Sequence, residues 1–382
     1  MQHLNNLRQR RGSTTSTTCS TPPPHDIYTV LISEENRYIR KGYGLISAIL
    51  IAVSFMVLSP QIAQYVWPSF LELYEWSGLK KWQMTLLVLW FWHSSLAVIT
   101  NLVMWAIYRI ELPFFERYKI SQDPWPWYDN REEWNKLLKK SLAMVSFNNL
   151  VSFPLAFLVL SCIEGFDTKL SYKIEDLPDT ATLMCSIAFC MICEDFAFHH
   201  IHKILHWRII YPYIHKLHHT YVMPIGISAE YSHPLEFIFG VLVPSGLGSM
   251  ILGEKMHFAT FLLWVFVRIG ESLDGHSGYE FSWSPYRLIP FSTSASYHNF
   301  HHSHNVGNFS SFFSLWDTIF GCNKAYYQFY ERVREAKERH DRRKEEFNKA
   351  LKEKLAQEEL ESIRNAERNQ DIFQSDDKVK IE

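Results

Sequence analysis

Three long uncharged stretches constrain this chain more than any other feature of its sequence. Residues 42–59, 82–108 and 141–163 contain no charged side chain over 18, 27 and 23 residues. A helix rises about 1.5 Å per residue, so each stretch is long enough to cross a hydrocarbon core of about 30 Å. A fourth stretch, 180–193, has 14 residues and predicts a shorter or partly interfacial helix. We therefore expect an all-α integral membrane protein.

Two further apolar runs, 237–253 and 256–267, are separated only by Glu254 and Lys255. We interpret them as a helical hairpin that enters the membrane and returns to the same side. The expected architecture is then a membrane bundle of about four spans plus this hairpin. An aromatic content of 15% agrees with it, because Trp and Tyr collect at membrane interfaces.

The basic residues of the loops predict an orientation in the membrane. The first 41 residues carry six Lys and Arg and loop 109–140 carries seven, whereas loops 60–81 and 164–179 carry two each. Cytoplasmic loops are enriched in Lys and Arg. The N-terminus, loop 109–140 and the segment after residue 193 are therefore expected in the cytosol. The hairpin then brings His215 and His298 to the same cytosolic face.

Composition divides the chain into three predicted regions. Residues 1–41 are rich in Arg, Ser, Thr and Pro, lack the apolar core of a secretory signal, and predict a disordered tail. Residues 42–325 form the predicted membrane-embedded domain. Residues 326–382 contain no Gly or Pro and carry 14 basic against 15 acidic side chains, which predicts a solvated, cytosolic helical extension. Lys378 and Lys380 resemble a dilysine signal for return to the endoplasmic reticulum.

Net charge and cysteines exclude some classes of function. A formal net charge of -2 leaves no electrostatic footprint for nucleic acid. Cys190 and Cys193 form a C-x-x-C pattern, but they lie in an apolar stretch, where small buried side chains are a better interpretation than a redox or zinc site. No disulfide framework is expected from the six cysteines.

Histidine spacing is the strongest chemical signal. Most of the 18 histidines lie between His199 and His304, and the pattern H-x-x-H-H occurs twice, in "HKLHH" and "HNFHH". At this histidine content the pattern arises by chance at roughly one starting position in ten thousand. Residues three and four apart share a helix face, so each copy should present three imidazoles to one side. Packed imidazoles without a cation would leave donors and acceptors unsatisfied, so the pattern predicts metal.

The number of histidines predicts two metal ions. The motifs, together with "HKILH", contain eight histidines, more than the six ligands of one octahedral ion. Two more occur in the short motifs "AEYSHPLE" and "LDGHSGY", and ten ligands in two shells of about five indicate a dinuclear centre. Imidazole suits Zn, Cu, Fe and Ni alike. The candidate ligands are His202, His206, His215, His218, His219, His233, His276, His298, His301 and His302.

Four carboxylates near these motifs are candidate hydrogen-bond acceptors for the ligand imidazoles. They are Glu194, Asp195, Glu230 and Asp274. Structural salt bridges or exposed positions are equally compatible with their places in the sequence.

The order of these motifs after several apolar runs resembles the fatty acid hydroxylase superfamily. The connecting segments "RIIYPYIHKLHHTYVMPIGISAEYSHPLE", "ESLDGHSGYEF" and "SLWDTIFG" are similar, within it, to the methylsterol monooxygenases, the sterol 4-methyl oxidases. The likeness covers residues 194–321. It departs from the family at Phe198, where a histidine is expected, and at His304, where another residue is usual.

The resemblance implies an O2-dependent, non-haem di-iron monooxygenase that hydroxylates a sterol alkyl group, most simply the 4-methyl of the sterol nucleus. It implies two iron ions, which zinc can replace in purified samples, on the ten histidines, and no catalytic residue beyond the metal centre. Electrons would come from NAD(P)H through cytochrome b5 and its reductase; the sequence contains no flavin, haem or dinucleotide motif. The implied location is the endoplasmic reticulum membrane, with both termini cytosolic.

Two alternatives remain at this point. One is another sterol oxidation of the same superfamily, such as C-5 desaturation or removal of a carbon-24 alkyl group. The other is a histidine-lined metal transporter or storage protein. A transporter should place its ligands along a path through the spans. These motifs instead cluster at the ends of the spans, on one side of the membrane.

Overall fold

The computed structural model describes residues 41–121 and 123–379, and the side chains among them except those of Lys41 and residues 365–379. Residues 1–40 of the predicted disordered tail and Lys380 lie outside the described residues, and so does Cys19; Lys41, the last residue of that tail, begins the first helix. The helices in chain order are α1 (Lys41–Ser77), α2 (Lys81–Ile110), α3 (Pro113–Glu116), α4 (Pro126–Asp129), α5 (Arg131–Phe147), α6 (Phe153–Ile163), α7 (Thr180–Leu205), α8 (Pro234–Glu236), α9 (Val243–Leu252), α10 (Phe258–His276), α11 (Ala295–His304), α12 (Leu315–Ile319) and α13 (Lys324–Val379).

The predicted all-helical membrane architecture is confirmed. Five helices of the described chain are long and apolar enough to cross a membrane: Gly42–Ser77, Lys81–Ile110, Arg131–Ile163, Thr180–Leu205 and Pro234–Lys255. Instead of strands, the described residues contain only isolated bridges. The fifth helix is the first arm of the expected hairpin, and α10, the second arm, follows it after a short 3₁₀ turn at Gly253–Lys255.

Two of the apolar segments contain a π-helical turn. One, Asn148–Ser152, joins α5 to α6, and the other, Phe237–Leu242, joins α8 to α9. Such turns are frequent near functional sites because they shift the helix register and redirect side chains. Here the first turn carries Asn148, whose Nδ2 donates to the Ser232 carbonyl at 2.9 Å.

The helix α7 is longer than the uncharged stretch 180–193 predicts. It continues to Leu205 because the charges that end the apolar run are satisfied inside the protein. Glu194 accepts from Arg268 of α10 at 2.5 Å, and Asp195 Oδ1 accepts from the amides of Ser311 and Phe312 at 2.8 and 2.7 Å. The first histidine pair is thereby placed at the end of a spanning helix.

The described residues up to Tyr326 form one compact unit, and those from Tyr327 to Val379 form a second. The second unit belongs to the single helix α13, whose described side chains are mostly exposed. It carries ion pairs between residues one turn apart, such as Arg339 with Glu335 and Lys354 with Glu358, both at 3.6 Å.

Helices α7 and α9 approach each other at a glycine. A Cβ added to Gly248 would lie 2.7 Å from the Cα of Cys190. Small residues allow membrane helices to pack this closely.

We therefore expect Gly248→Ala to force α9 away from α7 and to lower the midpoint of thermal unfolding of the detergent-solubilised protein. Overpacking of this kind costs about 1–3 kcal/mol. Gly246→Ala is the matched control, because a Cβ there meets no atom within 4 Å. Equal midpoints for the two variants would contradict the tight contact.

Candidate metal centre

Nine of the ten candidate histidines lie in two groups within the described part of the chain. In the first group, five ring nitrogens lie within 4.8 Å of one another; in the second, four ring nitrogens satisfy the same limit. The first group consists of His202, His206, His215, His219 and His301, and the second of His218, His276, His298 and His302. All nine are buried except His206 and His298, which are partly buried.

Each H-x-x-H-H copy is divided between the two groups. In "HKLHH", a 3₁₀ turn, His215 and His219 belong to the first group and His218 to the second. In "HNFHH", on α11, the assignment is reversed: His298 and His302 belong to the second group and His301 to the first. The expectation that each copy presents its three imidazoles to one side therefore needs refinement, because each copy serves two neighbouring groups.

Hydrogen bonds on Nδ1 fix the orientation of six imidazoles. Five Nδ1 atoms lie near backbone carbonyl oxygens, at 2.6–3.3 Å, and the sixth near a carboxylate oxygen, at 2.7 Å. Because these oxygens only accept, each of the six Nδ1 atoms carries the ring proton and donates it. The Nε2 lone pair then faces the group. The pairs are His202 with Phe309, His215 with Glu236, His218 with Tyr231, His276 with Ser272, His301 with Gly307 and His302 with Tyr221.

The Nε2 atoms of fixed imidazoles approach each other too closely to be stable without a cation. His202 and His215 have their Nε2 atoms 3.0 Å apart, and those of His218 and His276 are 3.4 Å apart. Neither member of these pairs has a proton to donate, so the lone pairs repel. Two nitrogen ligands at about 2.1 Å from one ion lie about 3.0–3.4 Å apart. The donor set and its spacing therefore fit a metal ion in each group.

Burial keeps the imidazoles in the neutral form that binds metal. Desolvation lowers the pKa of His218 to about 4 and that of His301 to about 3. Burial also lowers the pKa values of His215, His276 and His302 well below the usual value, and neighbouring imidazoles add to the effect. These groups stay deprotonated at neutral pH, so no proton competes for the Nε2 lone pairs.

His233 lies in neither group. It precedes α8, and its Nδ1 accepts from the Leu235 amide at 3.2 Å, which makes it the N-cap of that helix. His199 belongs to a separate set with Asp317 and Cys322, and the ring of His304 stacks on Phe300, so neither is among the nine.

Glu236 is the acidic partner that the sequence analysis missed. The four carboxylates named there bond elsewhere: Glu194 to Arg268, Asp195 to the 311–312 amides, Glu230 to Asn149 and Asp274 to Arg287. Glu236 instead accepts from His215. The available signal was a carboxylate next to the apolar run 237–253, because an ionisable residue within a membrane segment is a candidate functional residue.

The loop between α11 and α12 supplies two of the carbonyl acceptors. Gly307 O accepts from His301 and Phe309 O accepts from His202. The conformation needs glycine at 307, which has a φ of +59° and leaves no room for a Cβ against the Cys322 carbonyl. Asp317 holds the loop, since its two oxygens accept from the amides of Phe309 and Ser310, both at 3.0 Å.

Asp317 is ionised in this setting. Burial alone would raise the pKa of its carboxyl group, but hydrogen bonds from His199, the two loop amides and Tyr297 outweigh it and lower the pKa below the usual value. The carboxylate can therefore accept from all of these donors.

A cavity borders both groups. Its lining includes His202 and His215 of the first group and His218, His276 and His298 of the second. Apolar walls come from residues such as Phe198, Leu205 and Val241. The Phe198 ring lies 5.0 Å from the His202 ring and 5.5 Å from the Arg268 guanidinium. Phe198, at the position where a histidine was expected, therefore forms part of the cavity wall.

We expect Asp317→Asn to reduce metal binding without preventing membrane insertion. An amide presents an N–H₂ group where a loop amide now donates, so the loop and the carbonyls of Gly307 and Phe309 should shift. Loss of such outer contacts typically costs about 10–100-fold in metal affinity. Metal content after purification is the measurement, and Asp341→Asn, on the exposed helix α13, is the control. Unchanged metal content in Asp317→Asn would contradict the role of the loop.

Comparison with known proteins gives the following similarities. The model of the fatty acid hydroxylase family matches residues 187–322. Methylsterol monooxygenase 1 of Gallus gallus is 33% identical over 221 residues, which are 58% of this chain and 71% of that protein. The protein of the same name from Danio rerio is 34% identical over 229 residues, 59% and 74% of the two chains. C-4 methylsterol oxidase erg25 of Schizosaccharomyces pombe is 28% identical over 308 residues, 76% and 96%. No solved structure matches the chain.

Proposed function

Because the chain belongs to the methylsterol monooxygenases, membrane oxidoreductases of the fatty acid hydroxylase family, we propose that it oxidises the 4-methyl group of a sterol in sterol biosynthesis. The reaction uses O2 and two iron ions. The relatives' names supply the substrate class. The single observation that carries the chemistry is the pair of imidazole groups that border one cavity.

The nine grouped histidines are the proposed iron ligands. Imidazole alone suits several metals, and the family membership favours iron. When bound, the metal ions supply the oxygen activation that no amino-acid side chain provides. His233 stays outside the proposed ligand set because its Nδ1 caps α8.

The protein's own residues orient the ligands and the substrate. Carbonyl and carboxylate acceptors hold the ring protons of six imidazoles on Nδ1, so that the Nε2 lone pairs face the groups. The apolar part of the cavity lining suits the ring system of a sterol. The buried ion pair of Arg268 with Glu194 fixes α10 against α7, and Arg268 itself lines the cavity.

Electron supply and location follow from the same proposal. Residues 42–325 form the catalytic domain in the endoplasmic reticulum membrane, with both termini in the cytosol, and residues 326–382 form a cytosolic extension. Cytochrome b5 and its reductase deliver electrons from NAD(P)H at the cytosolic face. The alternation of basic loops supports this orientation.

The position of the groups argues against a metal transporter. Only His202 belongs to one of the five candidate spans, near its end, and the other eight lie after or between those spans. A transport path would need ligands at several depths of the membrane. The arrangement supports a catalytic centre at one end of the bundle.

One variant in each group tests the two-metal centre. His301→Ala removes a ligand of the first group and His218→Ala one of the second, and each is expected to abolish sterol oxidation and to reduce bound metal. His304→Ala is the matched control on the same helix as His301, because His304 lies outside both groups. Activity retained in both ligand variants would refute the two-metal proposal, and normal metal content in either would refute the assignment of that ligand.

Sterol profiling of cells that lack the protein tests the substrate. Mass spectrometry should show accumulation of 4-methyl sterols, reversed by the wild-type chain but not by His218→Ala. Accumulation of sterols with an extra carbon-24 alkyl group, or of sterols saturated at C-5, would instead favour the other oxidations of the superfamily. An unchanged profile would contradict a sterol substrate.

A further inference from the structure

Two polar atoms in the cavity wall have no hydrogen-bond partner within the part of the chain that the structure describes. They are Ser232 Oγ and Glu236 Oε2. Both residues line the cavity that borders the two imidazole groups, and their exposures are only 3% and 6%. Buried polar atoms are almost always paired because an unpaired one destabilises the fold. Two of them on one cavity wall therefore indicate a polar ligand.

The segment that carries these atoms is fixed between the two groups. The Tyr231 carbonyl accepts from His218 of the second group at 3.3 Å, and Glu236 Oε1 accepts from His215 of the first at 2.7 Å. Between them, the Ser232 carbonyl accepts from Asn148 at 2.9 Å. Ser232 is thus held beside the reaction centre by contacts on both sides.

We propose that Ser232 and Glu236 bind a hydroxyl group of the substrate that is attached next to the oxidised position. A hydroxyl group both donates and accepts. It can donate to Glu236 Oε2 and accept from the Ser232 hydroxyl, which pairs both buried atoms. These residues are specificity determinants rather than metal ligands.

The proposal rests on the proposed function, because a sterol carries such a group. Its hydroxyl is on carbon 3, the neighbour of carbon 4, so the oxygen and the 4-methyl carbon are three bonds apart, within about 4 Å. A receptor for that hydroxyl must then lie beside the metal ligands, as the segment 231–236 does. A bound hydroxyl would also fix which face and edge of the ring system approaches the imidazoles.

The test compares a 4-methyl sterol with its 3-deoxy analogue on the purified, metal-loaded full chain. Equilibrium binding of each labelled sterol without O2 is measured together with kcat/KM. The wild type should bind the hydroxyl sterol at least about tenfold more tightly, because two hydrogen bonds contribute about three- to tenfold each. Ser232→Ala should reduce this preference about three- to tenfold, because the bond to Glu236 remains, and should leave affinity for the deoxy analogue unchanged. Ser232→Thr, which keeps the hydroxyl, should retain the preference.

Ser245→Ala is the matched control. Ser245 Oγ is also buried without a partner among the described residues, but Ser245 does not line this cavity. This variant should keep the wild-type preference. Metal content and the thermal midpoint are measured for every variant.

The outcomes separate the two proposals. Equal affinity of the wild type for both sterols would overturn hydroxyl recognition and leave the sterol oxidation standing. Neither sterol being bound or oxidised would overturn the proposed function. An equal loss of affinity for both sterols in Ser232→Ala, or a loss of its metal, would assign Ser232 to the structure of the site and overturn the inference.

Discussion

The arrangement of the whole catalytic region depends on which nitrogen of each imidazole carries the proton. Six Nδ1 atoms donate to oxygen acceptors, and the Nε2 lone pairs are left to face one another across about 3 Å. Such a set is repulsive by itself and is stabilised by a cation. The acceptors, more than the histidines, therefore define the centre, because a rotated ring or a shifted carbonyl would direct a proton where a lone pair is needed.

The acceptors come from irregular backbone, and buried carboxylates hold that backbone in place. Asp195, on a spanning helix, binds the amides of residues 311 and 312, while Asp317 binds those of residues 309 and 310. The same loop offers its carbonyls to His202 and His301. The negative charge of Asp317, which would be costly in an apolar setting, is thus used to fix a loop that has little regular structure of its own.

The sequence predicted the helical membrane fold because apolar runs are a local signal. Spacing singled out eight of the ten candidate histidines and short motifs the other two, and nine of the ten lie in the two groups. It did not predict their distribution, because the pattern gives only neighbours along one helix, and "HKLHH" is a 3₁₀ turn. His233 and Glu236 illustrate the limit. They are three residues apart, yet the Glu236 carboxylate accepts from His215, whereas His233 caps a helix. Such choices depend on tertiary contacts that spacing alone does not encode.

The division of each H-x-x-H-H copy between two groups links the two sites mechanically. A segment ordered by an ion in one group also places its remaining imidazoles for the other, since residues such as His218 and His219 are adjacent in the chain but belong to different groups. The backbone entropy lost in forming the first site is therefore not lost again in forming the second. If both groups hold the proposed ions, we expect assembly of the pair to be cooperative and damage to either segment to affect both.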